Sequence, residues 1–120
     1  MIDHVRPFLL RKMKIESIKE NVNFRRAYHQ GRSAVCKELV LYWRKNRLGK
    51  TRLGITVSKK LGNAPERNRA RRIIREGVRQ NIPYLPAGHD IVIVARSRCL
   101  RCKSTDIARA VREVFCHDEA

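Results

Sequence analysis

Apolar positions change their spacing along the chain, and each change marks an element. From Ser17 to Gly31, Phe24, Ala27 and Tyr28 fall at i, i+3 and i+4, which puts them on one face of a short helix. Ser17 with Glu20 has the form of a capping box, Asn21 is a competing N-cap, and Gly31 is a natural stop because it accepts a left-handed backbone. Between Ser33 and Arg44 the period drops to two. Leu39, Leu41 and Trp43 point one way and Val40 and Tyr42 the other, which predicts a strand with content on both faces. Leu53, Ile55 and Val57 alternate with polar or small residues and predict a half-buried strand. Across the polar turn 46–50 these two strands read as an antiparallel hairpin.

Asn63, with Glu66 three residues on and Pro65 in the first turn, predicts a helix that runs to about Gln80. Pro83 and Pro86 mark a loop. The nearly unbroken apolar run from Asp90 to Ala95 predicts a strand covered on both faces. Ser104 or Thr105 caps a last helix that carries Ile107, Val111, Val114 and Phe115 on one side. The order is helix, two or three strands, helix, strand, helix, an α+β arrangement. Residues 1–16 show neither period and read as a flexible basic extension, followed by a single domain over 17–117.

Charge changes the picture most in the middle helix. Ala70, Ile73, Ile74, Gly77 and Val78 form a core-facing stripe, while Arg69, Arg71, Arg72, Arg75 and Arg79 fill the remaining arc, with Arg67 on its shoulder. Only Glu76 opposes them. Like charges at i, i+4 destabilise a helix by a few tenths of a kcal/mol per pair, so a helix meant only to be soluble would mix signs. Arginine also offers a planar fork that grips phosphate and stacks on bases.

The whole chain shares this bias. Its 120 residues fit one domain, and 28 Lys and Arg against 11 Asp and Glu leave a formal net charge of +17. Nucleic acid is the leading partner, since each phosphate neutralised releases counterions; an acidic membrane surface is the second. No run approaches the ~20 apolar residues that span a bilayer, and the first residues do not form a secretory signal. Four cysteines without an export signal point to reduced thiols and a cytoplasmic location.

Val57-Ser58-Lys59-Lys60-Leu61-Gly62-Asn63-Ala64, followed by Arg67-Asn68-Arg69 and then Arg71, Arg72 and Arg75, resembles the signature of the bacterial ribonuclease P protein subunit. The resemblance extends from Ser17 to Phe115. It implies a two-layer sandwich of a mixed four-stranded sheet with helices, in the order α-β-β-β-α-β-α, with a left-handed βαβ crossover. It also implies a basic cofactor of a catalytic RNA that removes the 5′ leader from precursor tRNA. No catalytic residue is then expected in the protein, and Mg²⁺ would be held mainly by the RNA subunit. The implied partners are ribonuclease P RNA and precursor tRNA, with one protein monomer per RNA and no membrane.

By the same resemblance, Lys59, Lys60, Asn63, Arg67, Asn68, Arg69, Arg71, Arg72 and Arg75 would meet the RNA subunit. Phe24, Tyr28, Tyr42 and Arg96 would meet the leader, where aromatic faces suit a single strand because any base can stack on them. From spacing alone, core packing of Phe24 and Tyr28 is the competing reading. A non-catalytic or ribosome-associated RNA-binding protein and a DNA-compacting protein are the alternative functions that the charge alone allows.

Other constellations are weaker. Cys99-x-x-Cys102 lacks a second pair for a zinc site, and Cys116-His117 lies beyond a helix. Gly49-Lys50-Thr51 looks like the end of a phosphate-binding loop, but Arg44 stands where that motif needs Gly, so it reads as a turn. His4, His29, His89 and His117 are scattered, and acidic residues are too few for an obvious two-metal site.

Overall fold

A computed structural model describes residues 15–117. Its elements are β1 (Glu16–Ser17), α1 (Asn21–Gln30), β2 (Arg32–Val35), β3 (Leu39–Lys45), β4 (Arg52–Thr56), α2 (Ala64–Arg79), β5 (His89–Ala95) and α3 (Ser104–His117). Short 3₁₀ turns occupy Lys59–Leu61, Ile82–Tyr84 and Ser97–Arg101. The α+β architecture and the mixed sheet are as expected. The sheet has five strands rather than four, because the pair Glu16–Ser17 adds an edge; the single strand that periodicity suggests over 33–44 is two, β2 and β3.

The strand order is β1-β4-β5-β3-β2. This overturns the expected hairpin between β3 and β4: β5 lies between them, antiparallel to β3 (Leu41 opposite Ile93) and parallel to β4 (Ile55 opposite Ile93). The physical reason is the composition of β5. Ile91, Val92 and Ile93 are all buried, which only a central strand with both faces covered achieves. The true hairpin joins β2 to β3, with Val35 opposite Val40.

The two periods of β3 set two cores. On one face Leu39, Leu41, Trp43, Leu53 and Ile93 meet Ala70, Ile74 and Val78 of α2 and Ile107, Val111 and Phe115 of α3. Trp43 and Phe115 cross edge to face at 5.2 Å. On the other face Ala27 of α1, Ile18 and Val92 form a smaller cluster backed by Phe24, Tyr28, Tyr42 and Val94. Helices therefore cover both sides of the sheet, α1 alone on one and α2 with α3 on the other, so the expected two layers are three, because β3 and β5 carry apolar side chains on both faces. Each fully buried Ile or Leu contributes about 1.5–3 kcal/mol, so the larger core dominates.

Helix α2 begins as its sequence requires. Asn63 Oδ1 accepts the Glu66 N–H at 2.9 Å and the Asn63 N–H donates to Glu66 Oε1 at 3.0 Å, a complete capping box with Pro65 in the first turn. Its expected stripe, Ala70, Ile73, Ile74, Gly77 and Val78, is buried throughout.

Three terminus readings are corrected. Ser17 does not cap α1; it pairs with Leu53 in the sheet, and extended backbone there carries Ile18 into the core before the helix starts at Asn21. Gly31 ends α1 with φ −89°, not in the left-handed region. Glycine is needed because a Cβ would lie 2.6 Å from both the Ala27 and Trp43 carbonyl oxygens. At α3, Ser104 is already helical, and the turn is closed by the Lys103 N–H donating to Asp106 Oδ2 at 2.9 Å. Of the expected extension, residues 1–14 lie outside the described residues, whereas Ile15 packs against the core and Glu16 belongs to β1.

Candidate nucleic-acid interface

Burial of one stripe of α2 turns the arginines outward, but the fold does not treat them alike. Arg72 and Arg75 are exposed. Among the described residues a single ion pair involves the six, Arg79 with Glu76 at 3.3 Å. Arg69 is held: its Nη1 and Nη2 donate to the carbonyls of Leu100 and Cys102 at 3.1 and 2.9 Å, tying α2 to the segment before α3. Arg71 Nη1 donates to Asn68 Oδ1 at 3.0 Å, and Arg67 Nε is buried without a hydrogen-bond partner among the described residues. Lys59 and Lys60 are exposed on the 3₁₀ turn just before the helix. Asn63 spends its side chain on the capping box, so its place in the site is to set where the arginine face begins.

A groove of ≈ 620 Å³ opens between α1, the end of β4 and α2. Phe24, Arg25 and Tyr28 line it from α1, Thr56 and Val57 from β4 and the residue after it, and Arg71 from α2. Arg71 thus joins Phe24 and Tyr28 rather than the outer arginine face. The two aromatic residues are half-buried and serve both readings: they back the small core and still line the groove. Tyr28 OH lies 3.1 Å from Thr56 Oγ1, which fixes the ring. Tyr42 meets Tyr28 edge to face at 4.9 Å and supports it from the sheet without lining the groove. Arg96 is outside the lining: it follows β5, and its Nη1 donates to the Cys36 carbonyl at 2.8 Å. Arg25 was not singled out by sequence. Its position next to Phe24 and three before Tyr28 is the signal that places it there.

Two acidic side chains, Glu16 and Asp90, are engaged away from the arginine face. Glu16 lies 2.7 Å from Lys50 Nζ, which holds its carboxyl below the ordinary value. Asp90 accepts Arg52 Nε and Nη2 at 2.8 and 2.7 Å and Asn46 Nδ2 at 2.9 Å. Burial alone would raise its carboxyl; these hydrogen bonds and the Arg52 charge outweigh burial and hold it below the usual range. Among the described residues no three His, Cys, Asp or Glu gather as a metal cluster.

Burial pushes the Cys99 thiol up to about 11 and raises Cys102 as well. Burial thus favours the protonated thiol at both positions over the reactive thiolate. Gly49-Lys50-Thr51 lies in the β3–β4 connection, where Lys50 pairs with Glu16 and Thr51 Oγ1 donates to the Pro86 carbonyl at 2.8 Å. A strand, not a helix, follows it. No helix among the described residues is long and apolar enough to cross a membrane.

An arginine-rich helix face with a single ion pair among the described residues, beside an aromatic-floored groove on a small and strongly basic α+β domain, fits a protein of the RNA-binding class. The family model described as Ribonuclease P matches residues 13–117. The ribonuclease P protein component of Clostridium acetobutylicum is 42% identical over 105 residues, covering 86% of this chain and 88% of that one. That of Lachnoclostridium phytofermentans is 49% identical over 82 residues, covering 68% and 71%. Among solved structures, the RNase P protein of Staphylococcus aureus matches with a TM-score of 0.75 at 34% identity, covering 88% of this chain and 96% of that one. The Thermotoga maritima protein matches with a TM-score of 0.74 at 29% identity, covering 83% and 94%. The chain belongs to the ribonuclease P protein family.

Proposed function

We propose that this chain is the protein component of bacterial ribonuclease P and acts in tRNA processing, joining ribonuclease P RNA to remove the 5′ leader of precursor tRNA. The observation that carries this reading is the division of labour on α2. Successive residues Arg71 and Arg72 face different surroundings, the first the aromatic groove and the second open solvent. One helix can then touch two RNAs at once. Lys59, Lys60, Arg67, Asn68, Arg72 and Arg75 meet the RNA subunit, Arg69 braces that face, and Asn63 sets its start. Phe24 and Tyr28 stack leader bases, Arg25 and Arg71 meet the adjoining phosphates, Tyr42 supports Tyr28, and Arg96 lies at the margin.

Hydrolysis is carried by the RNA, as in-line attack of water on the phosphodiester. Mg²⁺, which would be held mainly by the RNA, would supply an activated water and charge stabilisation for the leaving oxygen. The protein's part is electrostatic and positional: it neutralises repulsion between two polyanions and orients the strand to be cut. One monomer serves each RNA, in the cytoplasm. The test is reconstitution with ribonuclease P RNA and a precursor tRNA. Adding the protein lowers the Mg²⁺ needed for cleavage at the leader junction; an unchanged Mg²⁺ requirement overturns the reading.

A further inference from the structure

Helix α1 has two flanks, and only one borders the aromatic groove. At about 100° per residue, Asn21, Phe24, Arg25 and Tyr28 fall on one side and Asn23, Arg26 and Gln30 on the other. The second flank faces the end of β3 and the β3–β4 connection across a separate groove of ≈ 620 Å³. Arg26, Arg44, Lys45, Arg47 and Arg52 line it, with Asp90 as its one carboxylate. That carboxylate is fully engaged, both oxygens by Arg52 and one also by Asn46.

Arg26, Arg44, Lys45 and Arg47 form no salt bridge among the described residues. The aromatic groove, of the same volume, is lined by two cations, Arg25 and Arg71. Four cations without a salt bridge among the described residues, drawn from α1, β3 and the loop after it, repel one another around one concavity. An external polyanion relieves that repulsion and releases its own counterions. The chemistry also separates the two grooves. No aromatic ring lines the second, so it lacks the ring faces that Phe24 and Tyr28 give the first, while Asn23 and Gln30 add amide donors to the cations.

We propose that this second groove holds the sugar–phosphate backbone of RNA, at two to three consecutive phosphates and without regard to base sequence. The proposal rests on the reading of the chain as a ribonuclease P protein and adds a contact separate from the α2 face and the aromatic groove. A helix with its side chains is only about 10–12 Å across. A leader strand leaving the aromatic groove can therefore pass over α1 and enter the second groove. The RNA subunit is the other source of the same backbone.

The experiment uses holoenzyme assembled from ribonuclease P RNA and either the wild-type chain or the triple variant Arg26→Gln, Arg44→Gln, Arg47→Gln. Affinity is measured against salt for protein with the RNA subunit, and for holoenzyme with precursors of short and long leader. Loss of two to three single-strand phosphate contacts lowers the steepness of log affinity against log salt by about 1.4–2. A decrease confined to long leaders assigns the groove to the leader; a decrease in subunit binding assigns it to that RNA. Unchanged slopes in every reaction overturn the proposal.

Relief of like-charge repulsion leaves the melting temperature of the RNA-free variant equal to or above that of the wild type. Should the triple variant not fold, Arg26→Gln and Arg47→Gln alone, both at exposed positions, each lower the slope by about 0.7, and no change again overturns it. Wild-type holoenzyme that fails to remove the leader faults the functional reading. Wild-type holoenzyme that cleaves, beside a variant of unchanged slope, faults the groove alone.

Discussion

The ring of Phe24 lies directly on the backbone of Gly54. A Cβ at Gly54 would stand 2.6 Å from two of the ring's carbons, closer than any side chain tolerates. Gly54 thus sets how deep Phe24 sits, and with it the floor of the aromatic groove. Gly54→Ala lifts the ring and costs about 1–3 kcal/mol of stability through overpacking. Leader affinity falls about tenfold, since one stacked base is worth about 1–3 kcal/mol. Comparing holoenzyme binding of precursor and mature tRNA checks this: the preference for precursor shrinks, while binding of the RNA subunit is unaffected.

The α2 arginines separate into two experimental classes. Arg69→Ala removes two charged hydrogen bonds to the Leu100 and Cys102 carbonyls and lowers folding stability by about 2 kcal/mol. Arg72→Ala and Arg75→Ala, at exposed positions, change stability by less than about 0.5 kcal/mol. Each instead reduces the salt slope of RNA-subunit binding by about 0.9 if it meets a duplex phosphate. Denaturant unfolding and salt titration on the same three proteins give opposite rankings.

Acid stability depends on Asp90. Its folded carboxyl titrates below the ordinary value because the Arg52 and Asn46 bonds outweigh burial. The stability this contributes is complete above the unfolded value, about 3.9, and is lost as pH falls through the lower folded value. Asp90→Asn therefore destabilises by about 2 kcal/mol at neutral pH, and the difference from wild type narrows in acid below that range. Denaturant midpoints taken across acidic pH read out both effects.

Thiol reactivity ranks the cysteines. Cys99 is fully buried and its thiol is pushed up to about 11, so at pH 8 it reacts last of the four with a disulfide reagent, and rapidly only after unfolding. Single Cys→Ser variants assign the phases. Fast modification of Cys99 in the folded protein would contradict its burial.

Much of this fold can be read from periodicity. The stripe on α2, its capping box, and the alternation of Leu39, Leu41 and Trp43 all follow from spacing within one element. Strand neighbours do not. Alternation says which face of β3 or β4 is buried, but not that β5 divides them, because that depends on where the most apolar strand finds cover on both sides. The site divides along the same line. The arginine face is legible because its members are a few residues apart, whereas Arg69's carbonyl partners lie 31 and 33 residues away. The charge around Arg26 and Arg44 is dispersed in sequence and converges only once α1 lies across the sheet. Arg96 was placed with the leader by resemblance alone, and its bond to Cys36 needs the β2–β3 hairpin to exist.

The central position of β5 also bears on how the protein is born. Residues 89–95 leave the ribosome after both strands that they join, so a nascent chain already carrying every α2 arginine still has two sheet fragments with open edges. Pairings so distant in sequence close late and expose such edges while they wait. Synthesis thus presents a cationic, half-assembled intermediate to a cell rich in RNA, and the last third of the chain decides when that vulnerable interval ends.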